Sequence, residues 1–292
     1  MNYIEHEKVM KRMKSRLILN KMWKAVFLFA IFIALFSLVM LIGRILTQGI
    51  GYLSWDFLTN FASRIPANAG IKAALVGSLY LMLVVAPVSI ILGVSTAIYL
   101  EEYAKQNKLN DFIRMNISNL AGVPSIVFGL LGLTIFVRLF EFGKSILAAG
   151  LTMSLLILPI IIVASQEAIR AVPKEQREAS YGMGATKWQT IIRVVLPAAL
   201  PGLLTGSILA LSRAIGETAP LVVIGIPVII HFLPDGLMST FTALPMQIFD
   251  WAKRPQEEFQ YVAAAGILVL MTVLILMNSI AIYIRNKFQK RY

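Results

Sequence analysis

Arg213 and Glu217 stand four residues apart in ALSRAIGETAPLVVIGIP, an otherwise apolar run from Ala210 to Pro227. On a helix that spacing sets both on one face, one turn apart. Two chemistries fit. Arginine stays charged and offers a planar fork of donors suited to the oxygens of an oxyanion. Glu217 would hold the guanidinium and partly neutralise it, so that a bound anion can leave, and Ser212 and Thr218 add hydroxyls beside the pair. Passage needs binding that is favourable without being tight. In the other chemistry the two charges serve only each other and fix helix packing. A further arrangement breaks the element at Gly216 and Pro220, with Ala198–Ser212 and Thr218–Ile230 as two half-spans.

A second group lies in AVPKEQREASYGMGATKWQTIIRVVLP, Ala171 to Pro197. Pro173 suits a first helical position, and Glu175 and Gln176 follow in the first turn. Gly182 and Gly184 then break the helix. Thr186-x-x-Gln189 is a capping-box pattern that restarts it. Ala179, Ser180, Gly182, Gly184 and Ala185 are small, and small side chains at a bend let another surface approach the backbone. Arg177, Glu178 and Lys187 flank them with charge. The segment is either a rigid short helix that inserts into a groove on a partner or a solvated loop with turn glycines.

The elements that must position these groups are membrane helices. Apolar residues make up 58% of the 292 and charged residues only 14%, against about 25% charged in soluble domains. Five uncharged runs are long enough to span a bilayer: Ala25–Gly43, Ala73–Leu100, Ile117–Val137, Ile146–Gln166 and Tyr261–Ile284. A span needs about 20 apolar residues. The Arg213 region, Ala198–Ile230, is a sixth. In an apolar layer a lone charge costs about 2.5–3.5 kcal/mol, so the two charges there need a reason.

Six spans put both termini on one side. Segments 1–24, 101–116, 170–197 and 285–292 carry 19 Lys and Arg, and the alternate segments 44–72, 138–144 and 231–260 carry 7. The bias predicts that both termini and the 170–197 loop are cytoplasmic. The net charge of +12 is then topology and contact with anionic membrane lipid, and not a nucleic-acid site. The basic N-terminal segment reads as an amphipathic helix on the inner leaflet or as a charge anchor for the first span. Trp55, Phe57 and Pro66 in the 44–72 loop suggest a segment resting at the interface.

Other features carry no chemistry. There are no cysteines, and His6 and His231 are far apart, so neither disulfides nor a metal site is expected. Gly143-Lys144-Ser145 resembles the end of a nucleotide-binding loop, but the first glycine of that motif is Arg138 here. No cofactor is expected in this chain, and it is not itself an ATPase. Pro87, Pro124 and Pro159 lie inside apolar runs; they either mark a substrate pathway through broken helices or are ordinary kinks, and the kink is the favoured reading.

The second group carries a family resemblance. Glu178-Ala179-Ser180, then Gly184, then Val194-x-Leu196-Pro197 resembles the EAA loop of ABC-importer permeases: Glu-Ala-Ala, three residues, Gly, nine residues, Ile-x-Leu-Pro. Ser180 and Val194 are mild departures that keep volume and shape. The resemblance implies an all-α membrane protein of six transmembrane helices with the type I ABC-importer permease (MetI-like) fold. Residues 1–70 would be peripheral, 71–284 the permease core and 285–292 a cytoplasmic tail. It also implies that Glu178, Ala179, Ser180, Gly182, Gly184 and Ala185 form a coupling helix that docks on a separate ATPase. The stretch SRAIGETAPL, Ser212 to Leu221, is similar to phosphate-importer permeases of the Pst system. That implies phosphate as solute, a homologous permease (PstC-like), ATPase subunits (PstB-like) and an extracytoplasmic phosphate-binding protein (PstS-like). A permease for another oxyanion or small solute, or an ion-coupled secondary transporter with Glu217 as proton relay, are the alternatives.

Overall fold

Uncharged apolar runs fold as helices here because a helix satisfies its own backbone polar groups where no water can. The computed structural model describes residues 6–288. Its helices are α1 (His6–Gly49), α2 (Trp55–Thr59), α3 (Lys72–Ile98), α4 (Lys108–Leu120), α5 (Ser125–Gly132), α6 (Ile146–Arg170), α7 (Lys174–Gly182), α8 (Lys187–Thr190), α9 (Leu196–Gly216), α10 (Ala219–Ile224), α11 (Leu244–Lys253) and α12 (Glu257–Phe288). Wider π-type turns prolong α3 to Tyr103 and α5 to Leu139, and join α8 to α9. Five helical stretches are long and apolar enough to cross a membrane, and six if the bent pair α4–α5 counts as one.

The third span departs from expectation. Ile117–Val137 reads as one uninterrupted run, but α4 and α5 meet at 102°. Pro124 sits at the corner with an extended backbone (φ −56°, ψ 135°). It has no N–H for a helical bond, and it drives Val123 out of the helical region. The expectation of an ordinary kink is therefore corrected at Pro124. Pro87 and Pro159 do lie inside uninterrupted helices. The described part of the N-terminal segment is continuous with the first span, because α1 runs unbroken from His6 to Gly49.

α6 is the central element, packed between α3 and α9. Small residues allow the close approach. A Cβ at Gly206 would lie 2.5 Å from Ala164 Cβ, and one at Gly202 2.7 Å from Ala168 Cβ. Two small residues four apart on α9 thus nest against two on α6, which is how helices associate in lipid, where burial of apolar surface supplies no drive. Val85, Met153, Ile157, Ile161 and Ala214 fill the space between the three helices.

At the end opposite the 170–197 loop, a second core gathers Phe57, Leu244, Trp251, Phe259 and Ala265. Phe57 is 3% exposed and packs on Trp251 with ring centroids 5.9 Å apart. Trp55, two residues before it, is exposed. The Ser78 hydroxyl of α3 accepts from the Leu244 N–H at 2.8 Å and so caps α11.

Candidate functional site

Arg213 lies in the last turn of α9. The helix stops because Glu217 is extended (φ −79°, ψ 124°) and Pro220 opens α10 without an N–H to continue the ladder. α10 then packs on α5, where Gly129 leaves room for Pro220 and Val223. The element is therefore broken, and Arg213 and Glu217 do not share one helix.

The break loosens the ion pair. Arg213 Nε is 3.9 Å from Glu217 Oε2, beyond hydrogen-bond distance. The Arg213 side chain is 49% exposed and that of Glu217 20%. Among the described residues, Arg213 makes no closer polar contact. A packing bridge would be short and covered, and this one is neither.

Depth follows from the pairing of α9 with α12. Arg285 Nη1 donates to Thr205 Oγ1 at 3.2 Å, and the Ser212 hydroxyl lies 2.6 Å from Asn278 Oδ1. Eight residues separate Thr205 from Arg213, about 12 Å along a helix. Arg213 thus stands about 12 Å along α9 from the level at which Arg285 is held, a separation that fits within an apolar layer about 30 Å thick. Ser212 is engaged with Asn278 and with the Ile208 carbonyl at 2.8 Å, so it does not face outward with Arg213. Thr218 stands at the break and makes no side-chain cap for α10.

The second group folds as its local chemistry dictates. α7 ends at Gly182, and Gly184 takes a left-handed turn (φ +82°). The capping box is complete: Thr186 Oγ1 accepts from Gln189 N, and Gln189 Oε1 accepts from Thr186 N. Glu178, Ala179, Gly182 and Gly184 are exposed, and Ala185 is half-buried. Ser180 is not available to a partner. It is 5% exposed, and its hydroxyl bonds Thr190 at 2.9 Å, which ties α7 to α8. Around the bend stand three apolar groups that sequence reasoning passed over: Met183 at 84% exposure, Trp188 at 63% and Tyr181 at 42%. The signal was a Met and a Trp in a solvated loop, positions where water-facing residues are expected.

A third group escaped the sequence altogether. Glu101 and Glu102 sit on the turn that prolongs α3. Glu101 accepts from Arg170 Nε and Nη2, both at 2.8 Å, and from Gln166 Nε2 at 2.9 Å, and it also pairs with Arg114 of α4. Glu102 accepts from Arg177 of α7. A cleft of about 400 Å³ opens beside them, lined by Arg170, Lys174, Glu178 and Tyr181 among others.

The profile of the family described as binding-protein-dependent transport system inner membrane component matches residues 89–290. The probable ABC transporter permease protein YqgI of Bacillus subtilis (strain 168) is 40% identical over 184 residues, 63% of each chain. The chain thus spans less than two thirds of the length of that relative. Phosphate transport system permease protein PstA of Mycobacterium leprae (strain TN) is 36% identical over 250 residues, 82% of this chain and 80% of that one. PstA of Haemophilus influenzae is 28% identical over 272 residues, 93% and 94% of the two chains. Among solved structures, the inward-facing MetNI methionine ABC transporter superposes with a TM-score of 0.63 at 17% identity, over 75% of this chain and 96% of that one. A bacterial alginate ABC transporter, solved with an alginate pentasaccharide-bound periplasmic protein, gives 0.60 at 14% identity, over 98% and 99%. At such identities the structural likeness speaks for the fold, which is that of MetI-like permeases.

Proposed function

The chain belongs to the binding-protein-dependent transport system inner membrane components, and from that premise we propose that it is one permease subunit of an ATP-driven importer of inorganic phosphate. It pairs with a homologous permease. Each permease forms half of the pathway. Phosphate arrives from an extracytoplasmic binding protein, which docks on the end that carries α2 and α11. Both termini and the α7–α8 bend face the cytoplasm, in keeping with the basic excess there. ATPase subunits dock on that bend, and their closure moves the spans between two orientations. The chain itself needs no cofactor and performs no covalent chemistry.

The observation that carries the pathway is Arg213: a half-exposed guanidinium, 3.9 Å from its one carboxylate neighbour among the described residues, at a helix break within the apolar layer. Such a group has donors to spare for phosphate oxygens. Glu217 is near enough to weaken the hold and too far to quench it, which favours passage over trapping. Broken helices whose ends line a cavity are a recurrent way to build solute sites in membranes. The solute itself follows from the PstA relatives, one of them 36% identical over four-fifths of both chains.

The test is uptake of radiolabelled phosphate into proteoliposomes that hold both permeases, the ATPase and the binding protein. Uptake is expected to require ATP and to resist competition by sulfate and molybdate. Uptake driven by a proton gradient with no ATPase present, or full competition by either oxyanion, would overturn this reading.

A further inference from the structure

Arg177 is buried where a loop arginine has no reason to be. It lies on α7, in the solvated 170–197 segment, yet its side chain is only 18% exposed and its partner Glu102 only 8%. The guanidinium uses its whole fork. Nε and Nη2 donate to Glu102 Oε1 at 3.2 and 3.1 Å. Nη1 donates to the Val172 carbonyl at 2.6 Å and Nη2 to the Ile169 carbonyl at 2.8 Å. Ile169 stands in the last turn of α6 and Val172 just beyond its end, where a cation complements the helix dipole. One side chain of α7 thus holds the ends of both α3 and α6.

The neighbouring Glu101 fastens those two ends to each other, through Gln166 and Arg170 of α6, and to α4 through Arg114. At its other end α7 is tied to α8 by Ser180 and Thr190. α8 runs on into α9, the helix that carries Arg213. Without Arg177 the nine-residue α7 would keep the Ser180–Thr190 bond, its packing on α8 and the turn that follows it, and its two chain connections, but no polar side-chain link to α3 or α6 among the described residues.

Desolvating an ion pair is costly, so a largely covered pair is weak evidence for added stability, and in some proteins such pairs fix a geometry. We propose that Arg177 is a positioning residue, and that the Arg177–Glu102 pair is a latch that stays closed throughout transport and passes displacement of α7 to α3 and α6. This rests on the reading of the α7–α8 bend as the ATPase-docking element. In that frame Glu102 and Arg177 touch neither the solute nor the ATPase. Their work is to make a short helix rigid against the bundle.

The test uses the full transporter in proteoliposomes, with ATP hydrolysis and phosphate uptake measured on the same preparation. Arg177→Met and Glu102→Gln are expected to retain the ATPase on copurification and to hydrolyse ATP at near the normal rate. Phosphate imported per ATP hydrolysed should fall about tenfold, as expected when charge-assisted hydrogen bonds are lost from a mechanical link. Arg177→Lys keeps the charge and loses the fork. It replaces Arg177→Met if that variant does not assemble, and should shift the ratio in the same direction. The native chain has no cysteine, so Glu102→Cys with Arg177→Cys can be bridged by a reducible bis-methanethiosulfonate spacer. Bridging should restore the ratio, and reduction should remove it again. A normal ratio in the single variants, a parallel loss of hydrolysis and uptake, or a bridged protein that stays uncoupled would each overturn the latch. Failure of the docking reading looks different: the ATPase would then copurify undiminished with Met183→Glu and Trp188→Glu variants.

Discussion

The Ser212 hydroxyl of α9 lies 2.6 Å from Asn278 Oδ1 of α12. Seven residues away on both helices, Thr205 meets Arg285. The two contacts form a polar seam between antiparallel helices, and the seam ends beside Arg213. Replacing Ser212 by Ala leaves the Asn278 amide without its partner at membrane depth, at a cost of about 0.6–2 kcal/mol. Asn278→Leu should cost a similar amount, and the double variant less than the sum of the two. Thermal unfolding in detergent measures all three. Strict additivity would mean that the contact contributes nothing.

Arg213→Ala should cut uptake severely while leaving assembly, ATP hydrolysis and the unfolding midpoint intact. The side chain is half exposed and 3.9 Å from Glu217, so its removal breaks no side-chain hydrogen bond among the described residues. The loss of one charged donor set from a passing anion predicts a fall of about 10- to 100-fold in uptake. Arg213→Lys should retain part of the activity, because charge survives without the fork. Glu217→Gln should tighten phosphate binding and slow its release. If Arg213→Ala instead lowers the melting temperature and leaves uptake normal, the charge is structural.

The α6–α9 contact makes a prediction about stability alone. A Cβ at Gly206 would sit 2.5 Å from Ala164 Cβ, whereas one at Gly216 meets nothing within 4 Å. Gly206→Ala should therefore force the helices apart and cost about 1–3 kcal/mol, and Gly206→Leu should prevent folding. Gly216→Ala is the control and should unfold at the wild-type temperature. Yield and midpoint of detergent-solubilised protein decide the comparison.

How far the sequence speaks depends on the range over which each feature is determined. The long spans are local, because some 20 uncharged residues suffice to specify each one. The capping box at Thr186 and Gln189 is local too, and it stands as the spacing requires. The bend at Pro124 was hidden, since an apolar count is blind to direction. α11 was hidden because its fit depends on Ser78, 166 residues before Leu244, and on Phe57 and Phe259. Glu101 and Glu102 were passed over for a similar reason. They close a long apolar run like any boundary charge, and their partners Arg170 and Arg177 lie 69 and 75 residues on. Ser180 looked like one more small residue at a bend until Thr190 was found against it.

The same distinction reshapes the docking prediction. Gly184 invites a bulky substitution as a probe of close approach, but its φ of +82° strains any side chain, and a Cβ there would meet open space. A Gly184 variant would confuse a damaged turn with a blocked surface. Met183 and Trp188 are cleaner, because they project from the bend at 84% and 63% exposure. Exposed apolar anchors of this kind dominate interface energies, and a hot-spot side chain is worth about 2 kcal/mol or more. Met183→Glu and Trp188→Glu should each weaken ATPase binding by about 30-fold or more, with an unchanged unfolding midpoint for the isolated permease. Ser180→Val should do the reverse: it breaks the bond to Thr190, lowers stability and leaves the exposed anchors in place. Pull-down of the ATPase over a concentration series, set beside thermal unfolding, separates the two classes. Equal ATPase affinity across all three variants would place the docking surface elsewhere.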